Sequence, residues 1–251
     1  MNKLKKHVNN AIFKAQQSGK SKQLAESIAI KEYFLNEIPQ VESFFKFIKE
    51  KSVEKEVQIK FILGEGKYIA ITKEIPPNEI QIKINPKSDK DKLVSAFVHE
   101  LGEAGYILRN FPLVRIEDSL YNYGGRITEL FSHLYIKEIV KQYNLEEIER
   151  GNGDEEIKRW RKKNYLECYK YKWEQVLMVS WAIINYSRLK EEKSKLLGYK
   201  QNSEYIENII NVLNNISYDQ DEIKKLVVEI IDLLKELSFP HEIKIYSMFD
   251  G

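Results

Sequence analysis

One cysteine, Cys168, in 251 residues excludes an intrachain disulfide and any zinc cluster built from several thiolates. An excess of one charge is missing too. Forty basic side chains face 38 acidic ones, a net +2, and the two signs are interspersed. That pattern argues against a nucleic-acid partner. Long apolar runs are also lacking: the amino-terminal "MNKLKKHVNNAIFKAQQSGK" is basic but carries no continuous apolar stretch of the signal-peptide kind. Nothing downstream has the length of a membrane span. No repeat and no low-complexity linker interrupts the chain. These absences together predict a cytoplasmic protein in a reducing compartment, working away from membranes.

What is present changes period along the chain. Residues 2–51 read as packing helices, broken near Gly19 and at Pro39, with Phe44, Phe45 and Ile48 at helical spacing. From Val57 the period becomes two. Val57, Ile59, Phe61 and Leu63 alternate with Gln58 and Lys60, and after "GEGK" a second strand through "YIAIT" completes an expected hairpin. A third strand, "EIQIKIN", alternates Ile80, Ile82 and Ile84 with Gln81 and Lys83, which predicts a small antiparallel sheet with one wet face.

A helix over about 89–109 follows, with Ser88 as its expected N-cap and Asp89 and Asp91 favouring the positive end of its dipole. Its stripe Leu93, Phe97, Leu101, Ala104 and Leu108 faces a core, and His99 and Glu103 lie roughly opposite. A second helix is expected over 126–143. Beyond "GNGD" the remainder reads as helix over about 155–192, 202–215 and 219–237, then a possible strand "EIKIYSMF". "WEQVLMVSWAIINY" is apolar around much of its circumference, so it predicts a buried helix. The expected fold is α+β and mainly helical: residues 1–145 carry the small sheet and the candidate site, and 146–251 form a helical region that belongs either to the same domain or to a second one.

The chemistry concentrates in "AFVHELGEAGY", residues 96–106. Residues four apart on a helix bring their side chains to one side, so His99 and Glu103 can reach one ion. Glu100, about 100° around, is placed to take a proton from a water that the ion activates. The second helix repeats the spacing with Glu129 and His133, on a stripe shared with Ile136 and Val140. Polar groups that begin an apolar stripe are costly unless paired. His7 and His241 read as surface residues, and Ser132 and Cys168 show no partner pattern for nucleophilic catalysis.

The stretch "IQIKINPKSDKDKLVSAFVHELGEAGYIL" resembles the strand, loop and active-site helix of zincin metallopeptidases, and "ITELFSHLYI" resembles their following helix. The likeness covers about residues 57–143. It implies a peptide or protein substrate, His99 as first ligand, Glu100 as general base, and a third ligand that is Glu129 in the gluzincin pattern or His133 in the pattern of some related bacterial proteins. The departure is Glu103, where the family carries histidine. A carboxylate there keeps zinc as the expected ion but widens the choice to iron or manganese. Two other readings use the same residues: a zincin-like scaffold that has lost catalysis and serves as a binding or regulatory module, and a di-metal carboxylate protein, although such bundles use Glu-x-x-His spacing on four helices.

Overall fold

A computed structural model describes residues 3–75, 77–116, 121–149, 169–185, 202–214, 216–239 and 243–248. Cys168, His241 and much of the helix expected over 155–192 lie outside the described residues. The fold is α+β and mainly helical. The chain divides into two compact units, one of residues 1–109 with 136–152 and the other of 110–135 with 153–251.

In the first unit, helices α1 (Lys3–Gln17), α2 (Lys22–Glu37) and α3 (Val41–Glu54) precede strands β1 (Gln58–Leu63), β2 (Ala70–Ile75) and β3 (Glu79–Ile84). Helix α4 (Lys90–Leu108) follows. The expected β1–β2 hairpin does not form. The strand order is β1-β3-β2, with β3 parallel to β1 and antiparallel to β2, so the sheet is mixed. The reason lies in β3 itself: Ile80, Ile82 and Ile84 are all fully buried, while the apolar residues of β2 are half exposed or exposed. The strand whose alternate isoleucines are all buried takes the centre. The connection over residues 64–69 is long enough to step across one strand spacing.

The outer edge of β1 is closed from α2. Successive outward amides, those of Phe61 and Leu63, donate to Ser27 Oγ at 3.0 Å and Glu26 Oε1 at 2.7 Å. Across the sheet, Phe61, Ile82 and Thr72 form one row in register. The row packs on α4. Phe61 lies 5.6 Å from Phe97 between ring centroids, Phe97 stacks on Phe34 at 4.1 Å, and the Thr72 hydroxyl donates to the Glu100 carbonyl at 3.0 Å. Leu93, Phe97, Leu101, Ala104 and Leu108 are buried as their spacing predicts. The N-cap of α4 is Asp89 rather than Ser88. Ser88 is used in the preceding turn, where its amide donates to the Asn85 carbonyl and the Lys87 amide to Asn85 Oδ1.

Helix α5 (Tyr121–Gln142) is longer than the expected 126–143 at its start and passes unbroken from the second unit into the first. In the first unit its Ile136 presses on α4: a Cβ at Gly102 would meet Ile136 Cγ1 at 2.7 Å. The short helix α6 (Glu146–Glu149) follows. Its last residue is tied to α4 by Ser95 Oγ, which donates to the Glu149 carbonyl at 2.7 Å.

The second unit holds β4 (Leu113–Ile116), the first part of α5, α7 (Lys172–Asn185), α8 (Ser203–Asn214), α9 (Gln220–Lys235) and β5 (Ile243–Tyr246). Strand β5 falls within the expected "EIKIYSMF" and pairs antiparallel with β4. The buried helix expected from "WEQVLMVSWAIINY" is α7, in which Trp173 is enclosed edge-on by Tyr123 and Phe239, each 4.8 Å away. Among the described residues, no helix is long and apolar enough to cross a membrane.

Gly124 is where α5 meets β4. A Cβ there would stand 2.6 Å from the Val114 carbonyl oxygen and 3.1 Å from the Ile116 nitrogen, both backbone atoms that cannot swing away. Thr128, one turn on, accepts the Val114 amide at 2.9 Å. Gly124→Ala is therefore expected to cost about 1–3 kcal/mol through forced displacement, against a helix-propensity gain of up to ~1 kcal/mol. Gly125→Ala, with nothing within 4 Å of its Cβ, is expected to keep only the gain. Urea unfolding of the two variants checks this, and equal midpoints would contradict it.

Candidate metal centre

His99 and Glu103 occupy the same side of α4 as their i, i+4 spacing predicts, with His99 Nε2 3.9 Å from Glu103 Oε1 and both side chains about one-quarter exposed or less. Ile136 against Gly102 brings α5 alongside this stretch of α4. His133 is one turn before Ile136 on that continuous helix. His99 and Glu103 lie in the first unit, and Glu129 and His133 in the second.

The four expected ligand positions therefore do not behave alike. Glu129 Oε2 accepts from Arg126 Nη1 and from Trp181 Nε1, both at 2.6 Å. Arg126 also lies over the Trp181 ring at 4.5 Å. Glu129 thus fastens α5 to α7 inside the second unit. His133, with its ring 6.4 Å from Trp181, meets Asn185 through Nδ1 and the Asn185 side-chain oxygen. The Asn185 amide nitrogen donates to the Trp181 carbonyl at 2.8 Å, which sets the amide so that its oxygen faces the imidazole.

His99 has a partner of its own. Its Nδ1 is 3.1 Å from Glu149 Oε1, a carboxylate about one-fifth exposed. Glu149 and Asn185 were not legible as site residues. Glu149 is one of several acids in "NLEEIER", and only a long-range contact singles it out. Asn185 carries a fainter signal, a polar side chain four residues after Trp181 that follows the apolar run Ala182–Ile184. His7 is exposed, as expected.

Glu100 is buried, with 8% of its surface accessible. Burial raises its carboxyl to about 7; His99 opposes the rise, Glu103 adds to it, and hydrogen bonds with Thr72 oppose it. A carboxyl near neutrality is suited to taking up a proton and releasing it. For His99, burial pulls the imidazole down, but the hydrogen bond with Glu149 and the charges of Glu100, Glu103 and Glu149 outweigh it and hold the group at about 9.

These two shifts act in the same direction on stability. The His99 contribution is complete below its ordinary 6.5 and is lost as pH rises through about 9; the Glu100 penalty is absent below its ordinary 4.5 and complete above about 7. Between those limits the folded protein binds more protons than the unfolded chain, so its stability falls with rising pH. The urea midpoint of metal-free protein is expected to decline across this window more steeply than that of a His99→Gln, Glu100→Gln double variant. Parallel profiles would remove the two groups from the pH dependence.

No protein-family model, no curated protein and no solved structure matches this chain. The site is weighed on its own donors. Two imidazoles and one carboxylate are a ligand set that zinc accepts with a fourth position open. Ligand atoms around a tetrahedral zinc stand about 3.3 Å apart, given bonds of about 2.0–2.1 Å. His99 Nε2 and Glu103 Oε1, 3.9 Å apart, are within side-chain rotation of that spacing.

Proposed function

We propose that this chain is a metal-dependent hydrolase of the zincin-like type acting on peptide bonds in the cytoplasm, with a zinc ion held by His99, Glu103 and His133. The observation that carries this reading is the His99–Glu103 pair on one side of α4, 3.9 Å apart, with the buried Glu100 carboxyl beside it; Glu129 is engaged by Arg126 and Trp181, which leaves His133 as the third ligand. A zinc ion there would supply Lewis acidity, polarising a carbonyl and lowering the pKa of water. The chain's own part is then assigned by position. Glu100, next to His99 in sequence but turned toward the sheet and held by Thr72, accepts a proton on its carboxylate and passes it to the leaving amine. The donor inventory also accounts for the glutamate in "HELGE". With His133 present, Glu103 supplies the carboxylate of a two-imidazole, one-carboxylate set, so the departure from the familiar motif exchanges ligand positions without lowering the imidazole count.

The test is elemental analysis of untagged protein, followed by chelator-competition titration with zinc, iron(II) and manganese and by zinc-dependent cleavage of a denatured protein. One equivalent of zinc with cleavage supports the proposal. Failure to bind any of the three ions would overturn it. Binding without cleavage would favour the reading of a zincin-like scaffold that serves as a binding module.

A further inference from the structure

We propose that Glu149 and Asn185 are positioning residues that hold His99 and His133 as their Nδ1–H tautomers, so that both imidazoles present Nε2 as the ligating nitrogen. The inference rests on the metal reading above, but its first test does not.

A neutral imidazole has one N–H donor and one lone-pair nitrogen, and the partner of one nitrogen decides the role of the other. At His99, the partner on Nδ1 is a carboxylate oxygen, which can only accept. At His133, the partner on Nδ1 is the Asn185 oxygen, and Asn185 has no choice in the matter because its amide nitrogen is engaged by the Trp181 carbonyl. Each Nδ1 must therefore donate, and each Nε2 carries the lone pair. His99 Nε2 is the nitrogen on the Glu103 side, 3.9 Å from Oε1.

Both positioning groups are anchored independently of the imidazoles. Glu149 ends α6 and is fixed through its carbonyl by Ser95, four residues before His99. Asn185 is the last residue of α7, and α7 is fastened to α5 through Trp181 and Glu129. This gives Glu129 a role in the site through packing, without a place among the ligands. The two outer partners differ in charge. Glu149 makes His99 the more basic donor, whereas neutral Asn185 orients His133 without that effect.

The decisive experiment reads the tautomers directly. In metal-free protein in alkaline buffer, long-range nitrogen-15 correlation spectra should show the Nδ1–H form for both His99 and His133. Glu149→Ala should shift His99, and only His99, toward Nε2–H; Asn185→Ala should do the same for His133. Glu149→Gln and Asn185→Asp keep an oxygen acceptor and should restore the Nδ1–H form. Titration with zinc alone should then weaken about 10–100-fold in each alanine variant and recover with the conservative one. Either wild-type histidine in the Nε2–H form, or tautomers unmoved by the alanine changes, would overturn the inference, as would shifted tautomers with unchanged zinc affinity. Expected tautomers in a wild type that binds no zinc would leave the positioning assignment standing and remove the metal reading.

Discussion

Glu100→Gln is expected to leave zinc affinity within a few-fold of wild type while lowering peptide hydrolysis by about a hundred- to ten-thousand-fold, the range lost when a positioned general base is removed. The substitution is close to isosteric, and the amide oxygen can still accept hydrogen bonds from Thr72, so packing beneath α4 is preserved. What disappears is a carboxylate poised near neutrality between a cation-forming imidazole and a second carboxylate. The measurement pairs chelator-competition titration with initial rates on a denatured protein. Hydrolysis that survives in the variant would remove Glu100 from the base role. Lost zinc binding would make it a ligand.

A larger loss is expected at His133. On the proposed ligand set, His133→Ala takes away one of three protein donors and should weaken zinc by more than the ~10–100-fold typical of outer partners. Glu129→Gln should leave affinity near wild type, because the amide oxygen can still accept from Trp181 Nε1 and Arg126. The pair of variants decides between the two third-ligand assignments that the second helix leaves open. The reverse pattern, zinc lost in Glu129→Gln and kept in His133→Ala, would require Glu129 to leave Trp181 and Arg126 when metal arrives. Far-ultraviolet circular dichroism of both metal-free variants separates lost ligation from lost fold.

Helical periodicity placed α4 to within a residue or two at each end, because a long amphipathic stripe over-determines both the helix and its buried face. The same rule located α7 and the strands. It could not order the strands. The pairing of β1 with β3 puts the strand with three fully buried isoleucines at the centre, a tertiary arrangement that periodicity within each strand does not encode. Residue spacing likewise brought His99 and Glu103 together, since four residues on one helix is a local distance. Glu129 and His133 have the same spacing and were indistinguishable on α5. Their difference comes from α7, where Trp181 engages one and Asn185 the other. Glu149 is 50 residues from His99, and no local pattern encodes such a contact.

The two α2 side chains that take up the Phe61 and Leu63 amides have a consequence outside the site. A strand edge with its amides unclaimed is a template for another chain, and self-association through such edges is a hazard for any small sheet. Ser27 and Glu26 occupy the positions that an incoming strand would need on β1, and Glu26 brings a carboxylate to a place where a second copy would have to desolvate it. Separation of α2 from β1 would therefore expose the edge at the moment the protein is least folded. Resistance to aggregation in this unit depends on a helix that takes no part in the chemistry.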